Sequence, residues 1–343
     1  MRNFVNLGEY TRIRTGKLDA NASSPNGKYP FFTCSQEPLR IESYSYDCEC
    51  VLVAGNGGLN VKYYNGKFDA YQRTYIIESL DKDKLLPRYM FYFLELYIET
   101  LRKESIGGVI KYIKLGNLTN AKIFLPDLAT QQKIIDILDK SVAAIARRKK
   151  QLASCDMLVK SQFIEMFEGK NYRVIAIGDE FKTTSGGTPA RSDIKNYENG
   201  VIPWMTSGEV SQGLIYEVKG RITEQGYNAS SAKWMPINTV VVAMYGATAG
   251  QVGLLKIATT TNQAVCGIMP SEKFNPLFLY YAVKNQKEWM VAQSAGGAQP
   301  NISQAVIRRM RVPCPPKEEQ NRFAHFAEQT DKSKIPFETE VAA

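Results

Sequence analysis

The sequence predicts an α+β protein made of two tandem, mainly β domains, each followed by a helical region, the first of them a long helix of coiled-coil type. Three observations carry this expectation. Residues 123–138 read IFLPDLATQQKIIDIL and residues 312–327 read VPCPPKEEQNRFAHFA; at an offset of 189, Pro126 falls on Pro315, Gln131 on Gln320, Lys133 on Arg322, Ile134 on Phe323 and Ile137 on Phe326. Before each segment come short β-branched and aromatic runs such as VLVA, RTYIIE, TVVVAMY and AVCGIM, punctuated by Gly, Asn and Ser as strands and turns are. After the first segment, apolar residues recur at alternating three- and four-residue spacing as far as Met166.

The first domain, residues 1–125, holds LGEYTRIRTGKLDA (7–20), YPFFTCS (29–35), VLVAGNGG (51–58) and AYQRTYII (70–77), then a helix over 89–102 whose apolar spacing marks a core-packing face. The central region, 126–169, is one helix. Asp127 is placed to cap it just after Pro126, and Gly169 is its stop. Its seam is Ile134, Leu138, Ser141, Ile145, Arg148, Leu152, Cys155, Val159 and Met166, a stripe imperfect at Arg148. At 1.5 Å per residue the helix spans about 60 Å and needs a partner along one face.

The second domain, 170–314, repeats the first. IGDEFKTTSGGTPA (177–190), IPWMTSG (202–208), VVVAMYGA (240–247) and TNQAVCGI (261–268) lie over the four stretches above, at offsets rising from about 170 to 191. Loops change length while strands keep register. A helix over 276–291 follows. The period is far beyond the roughly 20–50 residues of solenoids, so each copy is a whole domain. The last region, 315–343, is short, and Pro336 is expected to interrupt its helix, leaving part of the first helix's apolar stripe uncovered.

Composition sets broad limits. With 343 residues, 44% of them hydrophobic, the chain can bury two cores. No window approaches the roughly 18 consecutive apolar residues of a membrane span, so a cytoplasmic protein is expected. The six cysteines lack zinc-site spacing and read as reduced thiols. A formal charge of +9 favours a polyanionic partner.

The catalytic inventory is sparse. His325 is the sole histidine, and its counterpart in the repeat, Asp136, sits on a solvent-facing helix, so a histidine-based triad or a multi-histidine metal site has no support. There is no GxxxxGK[ST] phosphate loop and no Asn-Pro-Pro-aromatic segment of the kind that holds a flipped adenine; GNGG (55–58) aligns with MYGA and reads as a turn. No catalytic residue, metal or cofactor is expected.

Taken together, the Pro-then-Gln helix starts, SGGTPA (185–190), IPWMTSGE (202–209), TNQA (261–264) and GGAQPNIS (296–303) make the chain resemble the specificity subunit of Type I restriction-modification systems over nearly its whole length. The first copy departs from the pattern, with RTGKLDA for SGGTPA and GGVIKYIK for GGAQPNIS. The resemblance implies two target-recognition domains reading a bipartite DNA sequence, one half each, with antiparallel helices as spacer. It implies a non-catalytic chain whose partners are double-stranded DNA, methyltransferase subunits that use S-adenosylmethionine, and a restriction and translocation subunit that uses ATP. In the first copy it places Thr33, Ser35, Gln36, Asn56, Gln72, Arg73, Lys111 and Lys114 on or behind the DNA face. In the second it places Thr206, Ser207, Tyr245, Thr261, Asn262, Gln263, Gln299 and Asn301 there. Side chains of these types hydrogen-bond base edges or phosphates, but TNQA and IPWM have a second reading as internal packing features. Arg147, Arg148, Lys149 and Lys150 form a basic run that reads either as a solvated face or as a phosphate contact. Two other functions stay open: an autonomous DNA methyltransferase or nuclease with unrecognised motifs, and a stand-alone sequence-specific DNA-binding scaffold.

Overall fold

The computed structural model describes residues 3–294 and 301–342. The chain divides into two compact units, Met1–Ala146 and Arg147–Ala343.

Unit 1 contains β1 (Phe4–Asn6), β2 (Thr11–Thr15), β3 (Tyr29–Phe32), β4 (Leu39–Ile41), β5 (Tyr46–Ala54), β6 (Val61–Ala70) and β7 (Thr74–Ser79), then α1 (Pro87–Glu104), α2 (Leu115–Thr119), β8 (Lys122–Phe124) and the start of α3 (Leu128–Phe167). Six strands form one sheet in the order β2-β7-β5-β6-β3-β4, and β1 pairs with β8. The β3–β6 pair is parallel, with Phe31 opposite Asp69; the other neighbours in the sheet run antiparallel. Successive side chains of a strand point to opposite faces, so Val51, Val53 and Ile77 pack with Met90, Leu94 and Leu101 of α1. Cys50, Leu52 and Ile76 turn the other way, onto Phe32 and Phe68. Both faces of β5 are therefore covered, which is why VLVA shows no polar alternation.

Unit 2 takes the rest of α3, then β9 (Val174–Ala176), α4 (Ile177–Glu180), β10 (Thr183–Ser185), β11 (Ile202–Met205), β12 (Leu214–Ile215), β13 (Arg221–Ile222), α5 (Glu224–Asn228), β14 (Trp234–Met235), β15 (Val240–Ala243), β16 (Val252–Leu255), β17 (Thr259–Thr261) and β18 (Val265–Ile268). It ends with α6 (Pro276–Lys284), α7 (Lys287–Ala292), α8 (Gln304–Arg309), β19 (Arg311–Pro313) and α9 (Lys317–Ala342). The duplication is visible strand by strand. The order β10-β18-β15-β16 repeats β2-β7-β5-β6, the parallel β11–β17 pair repeats β3–β6, and β9–β19 repeats β1–β8. Where the first copy has the ten-residue β6, the second has β16 and β17 with residues 256–258 between them, and its strands fall into two sheets.

The long helix α3 begins and ends where expected. Asp127 Oδ1 accepts the Thr130 N–H at 2.8 Å as an N-terminal cap, and Gly169 takes φ +68° beyond the last turn. Its burial follows the expected seam in part: Val159 is buried, Ile134, Leu138, Arg148, Leu152, Cys155 and Met166 are half-buried, and Ser141 and Ile145 are exposed. Ile135, Val159, Phe163 and Phe167 are the buried apolar residues, whereas Ile137, Val142, Ile145, Met157 and Leu158 are exposed. Among the described residues, the stripe lies open where it passes Ser141 and Ile145, as a short last helical region leads one to expect.

At the C-terminal end the Phe163 ring stacks on Phe278 of α6 at 5.6 Å and meets Phe323 of α9 edge-on at 5.3 Å. Leu152 and Asp156 of α3 line one cleft with Glu328 and Asp331 of α9. Contacts advance along α9 as they retreat along α3, so the two helices run antiparallel.

Two helix expectations need correction. The helix expected over 276–291 is two, because the chain turns at Asn285 and Gln286, and the Gln286 side-chain amide donates to the Arg311 carbonyl. The last helix passes through Pro336 and runs to Ala342. A proline removes one backbone donor and costs a helix interior about 3 kcal/mol, which weakens that turn without fixing a stop.

Candidate nucleic-acid interface

In the first copy, four segments distant in sequence are tied together around the end of β5. Gly55 donates its N–H to the Arg73 carbonyl at 2.8 Å, Gly57 donates to the Lys111 carbonyl at 2.9 Å, and Asn56 forms a β-bridge with Tyr112. The segment after β3 joins them through Asn60, whose amide donates to the Cys34 carbonyl at 2.9 Å, and through Lys62, which donates to the Ser35 carbonyl at 2.7 Å and to Asn60 Oδ1. Burial pushes the Lys62 ammonium below its ordinary value. Asn60 and Lys62 were not singled out from the sequence, since a polar pair at the start of a strand carries no signature of what it bonds.

Seven of the eight first-copy candidates belong to these tied segments, and Lys114 lies just beyond. Thr33 is buried, shares a hydrogen bond of 2.8 Å with the Ser35 hydroxyl, and shapes its loop. Gln36, Gln72, Arg73, Lys111 and Lys114 are exposed, and Asn56 is half-buried. Gln72 is held by its backbone N–H, which donates to the Leu18 carbonyl at 2.9 Å. That bond brings in RTGKLDA.

The second copy repeats the construction with other side chains. Asn262 donates its N–H to the Met205 carbonyl at 2.9 Å, and its side-chain oxygen accepts the Ala264 N–H at 3.1 Å. Met244 donates to the Ala264 carbonyl at 2.8 Å, and Tyr245 forms a β-bridge with Asn301. Thr206 caps the turn after β11: Glu209 Oε2 accepts from both its N–H at 2.9 Å and its hydroxyl at 3.1 Å, with Ser207 half-buried beside it. Gln263 is exposed and its Oε1 accepts from the Thr188 hydroxyl. Tyr245 and Asn301 are exposed; Gln299 lies outside the described residues.

Thr261 is fully buried at the end of β17. A Cβ on Gly186 would come within 1.9 Å of the Thr261 carbonyl oxygen, and one on Gly16 within 2.0 Å of the Ala70 carbonyl oxygen. The glycine shared by RTGKLDA and SGGTPA is thus required by the same close backbone approach in both copies.

Each copy therefore gathers exposed amide, hydroxyl and, in the first, cationic side chains on loops braced by backbone hydrogen bonds to paired strands. Such a surface can present donors and acceptors to a double helix. The basic run Arg147–Lys150 lies on α3; Arg147, Lys149 and Lys150 are exposed, and Arg148 donates to Gln151 Oε1 at 3.0 Å. His325 is exposed near the start of α9 and bonds Gln329 one turn on. All six cysteines are free thiols. Among the described residues, no helix is long and apolar enough to cross a membrane.

Comparison with known proteins gives concordant results. A family model described as the Type I restriction modification DNA specificity domain matches twice, over residues 3–154 and 169–342. The specificity subunit of the Type I restriction enzyme EcoDI of Escherichia coli is 26% identical over 358 residues, covering 95% of this chain and 80% of that protein. The EcoR124I/EcoR124II specificity subunit, also of Escherichia coli, is 27% identical over 275 residues, covering 75% of this chain and 66% of that one. Among solved structures, the S subunit of a Type I restriction-modification system from M. genitalium shares the fold with a TM-score of 0.64 at 16% identity, over 99% of this chain and 92% of that one.

Proposed function

The chain belongs to the family of Type I restriction-modification DNA specificity domains, and from that premise we propose how its two copies divide the work. It is a non-catalytic DNA-recognition subunit of a Type I restriction-modification complex. Residues 1–125 and 170–314 are the two target-recognition domains, each reading one half of a bipartite sequence; 126–169 and 315–343 are the helical regions that carry them. Methyltransferase subunits and a restriction and translocation subunit assemble on this chain and supply the chemistry.

The observation that carries this reading is the repeated bracing of exposed polar loops in both copies. In the first, Gln36, Asn56, Gln72, Arg73, Lys111 and Lys114 offer base-edge and phosphate contacts, with Thr33 and Ser35 shaping the loop. In the second, Ser207, Tyr245, Gln263 and Asn301 do so, with Thr206, Thr261 and Asn262 as support, and Gln299, outside the described residues, joins them on the sequence alone. Phosphate contacts set orientation, and base contacts set sequence.

The test exchanges residues 171–315 for the equivalent domain of a relative and maps methylated sites with the partner subunits present. One half of the methylated sequence changes and the other stays. A change in both halves would contradict independent reading, and methyl transfer or cleavage by the purified chain alone, given S-adenosylmethionine, ATP and magnesium, would contradict a recognition role.

A further inference from the structure

The loop between α1 and α2 carries an apolar tip that neither core uses. Ile106 and Tyr112 exchange both backbone hydrogen bonds, Ile106 N–H to Tyr112 O at 3.0 Å and Tyr112 N–H to Ile106 O at 2.8 Å, so residues 107–111 form a closed hairpin loop. Gly107 makes the turn at φ +117°, where a Cβ would meet the Ile110 carbonyl oxygen at 2.5 Å. At the tip, Val109 is 103% exposed and Ile110 63%.

This tip is anchored. Lys111 accepts from Gly57, Ile113 donates to the Gly55 carbonyl at 2.9 Å, and Gly55 is bonded in turn to Arg73. A braced hairpin that holds two aliphatic side chains in water has a use for them in a bound state. Its surroundings say which. Lys103, Lys111 and Lys114, which flank it in the chain, are exposed, as is Arg73 on the segment tied to Gly55, while the carboxylate of Glu104 is engaged by the Asn117 amide at 2.9 Å. Even with the partly exposed Ile106, Tyr112 and Leu115 beside them, these side chains fall short of the roughly 800 Å² per partner of a stable protein interface, and lysines flank them in the chain. An apolar wedge flanked by lysines is what proteins insert between base steps.

Resting on the DNA-binding reading above, we propose that Val109 and Ile110 form a wedge that enters the minor groove and partly unstacks one base step, with Lys111 and Lys114 neutralising the phosphates beside it. The wedge reads deformability, the ease with which a step opens, and adds a preference that hydrogen-bonding loops cannot supply.

The experiment measures binding of the full chain, by fluorescence anisotropy, to a labelled duplex of mixed sequence and to the same duplex with one central abasic site, whose step is already unstacked. The native chain favours the abasic duplex about tenfold, since it is spared the unstacking cost. Val109→Ser with Ile110→Ser removes that preference and leaves the dependence of affinity on salt as it was, both residues being exposed and outside the cores. Lys111→Ala with Lys114→Ala weakens both duplexes alike and lowers the salt slope by about 2. Equal binding of the two duplexes by the native chain, or a preference that survives the serine variant, overturns the wedge and leaves DNA binding intact. Failure to bind either duplex overturns DNA binding itself.

Discussion

Gln131 and Gln320 show what one residue type does when a sequence uses it twice. Gln131 Oε1 accepts the Leu86 N–H at 3.0 Å, and its Nε2 donates to the Lys84 carbonyl at 2.7 Å and the Pro126 carbonyl at 2.9 Å. Gln320 accepts from Asn275 at 2.8 Å and donates to the Lys273 and Pro315 carbonyls at 3.2 and 2.9 Å. Both side chains are buried, so each latches the start of a helical region to the start of its domain's own helix. Replacing either by Leu strands a backbone donor and two acceptors and is expected to cost about 2–4 kcal/mol in urea unfolding. Gln132→Leu, one position on and exposed, should change stability by less than about 0.5 kcal/mol. The repeat itself was legible in the sequence; the latch was not, since its partners are backbone groups some 45 residues upstream. Beside the first latch, the Tyr92 hydroxyl, together with the Arg88 guanidinium at 2.8 Å, holds the Asp139 carboxyl below its ordinary range. A carboxyl depressed in the folded state stabilises above its unfolded pKa of about 3.9, and that contribution is lost as pH falls through the lower folded value. Asp139→Asn should therefore cost about 1 kcal/mol at neutral pH, the pair being partly exposed, and in thermal unfolding the difference from the native chain should hold above about pH 4 and shrink progressively as pH falls below it.

At the scale of elements, α3 is the most legible part of the sequence. Its start at Asp127 and its stop at Gly169 were visible because a cap and a left-handed glycine are local signals. The residues that pack most tightly were less so, since a three-and-four spacing marks a face without ranking the side chains on it. Phe163 and Phe167, absent from the expected seam, do the packing against α6 and α9. The division at Asn285 turns likewise on a bond from Gln286 to a strand 25 residues on. As the covalent link between the recognition domains, α3 makes a measurable prediction. Seven inserted residues add two turns and about 10.5 Å while keeping helical phase, which at 3.4 Å per base pair is about three further base pairs of unread sequence. Methylation mapping of the complex should return the same two half-sequences with a longer gap; a fixed gap, or altered half-sequences, would rule out the helix as a measure of spacing.

For the molecule as a whole, duplication could be read from the chain because core strands keep their offset while loops drift. The gathering of residues near 34, 56, 72 and 111 could not, because nothing in a linear sequence records which loops a sheet brings side by side. One consequence follows from the glutamine latches. Each hydrogen-bonds its domain through main-chain groups alone, which every amino acid but proline can supply. A foreign domain arriving by genetic exchange would therefore meet these bonds whatever side chains it brought, provided a helix begins in the right place, and only the neighbouring contacts, Arg88 and Tyr92 on Asp139 or Phe278 on Phe163, would ask for particular residues. New specificities can then be inherited as whole cassettes rather than reached by stepwise substitution, and the segment written twice in this gene is the natural seam for such exchange.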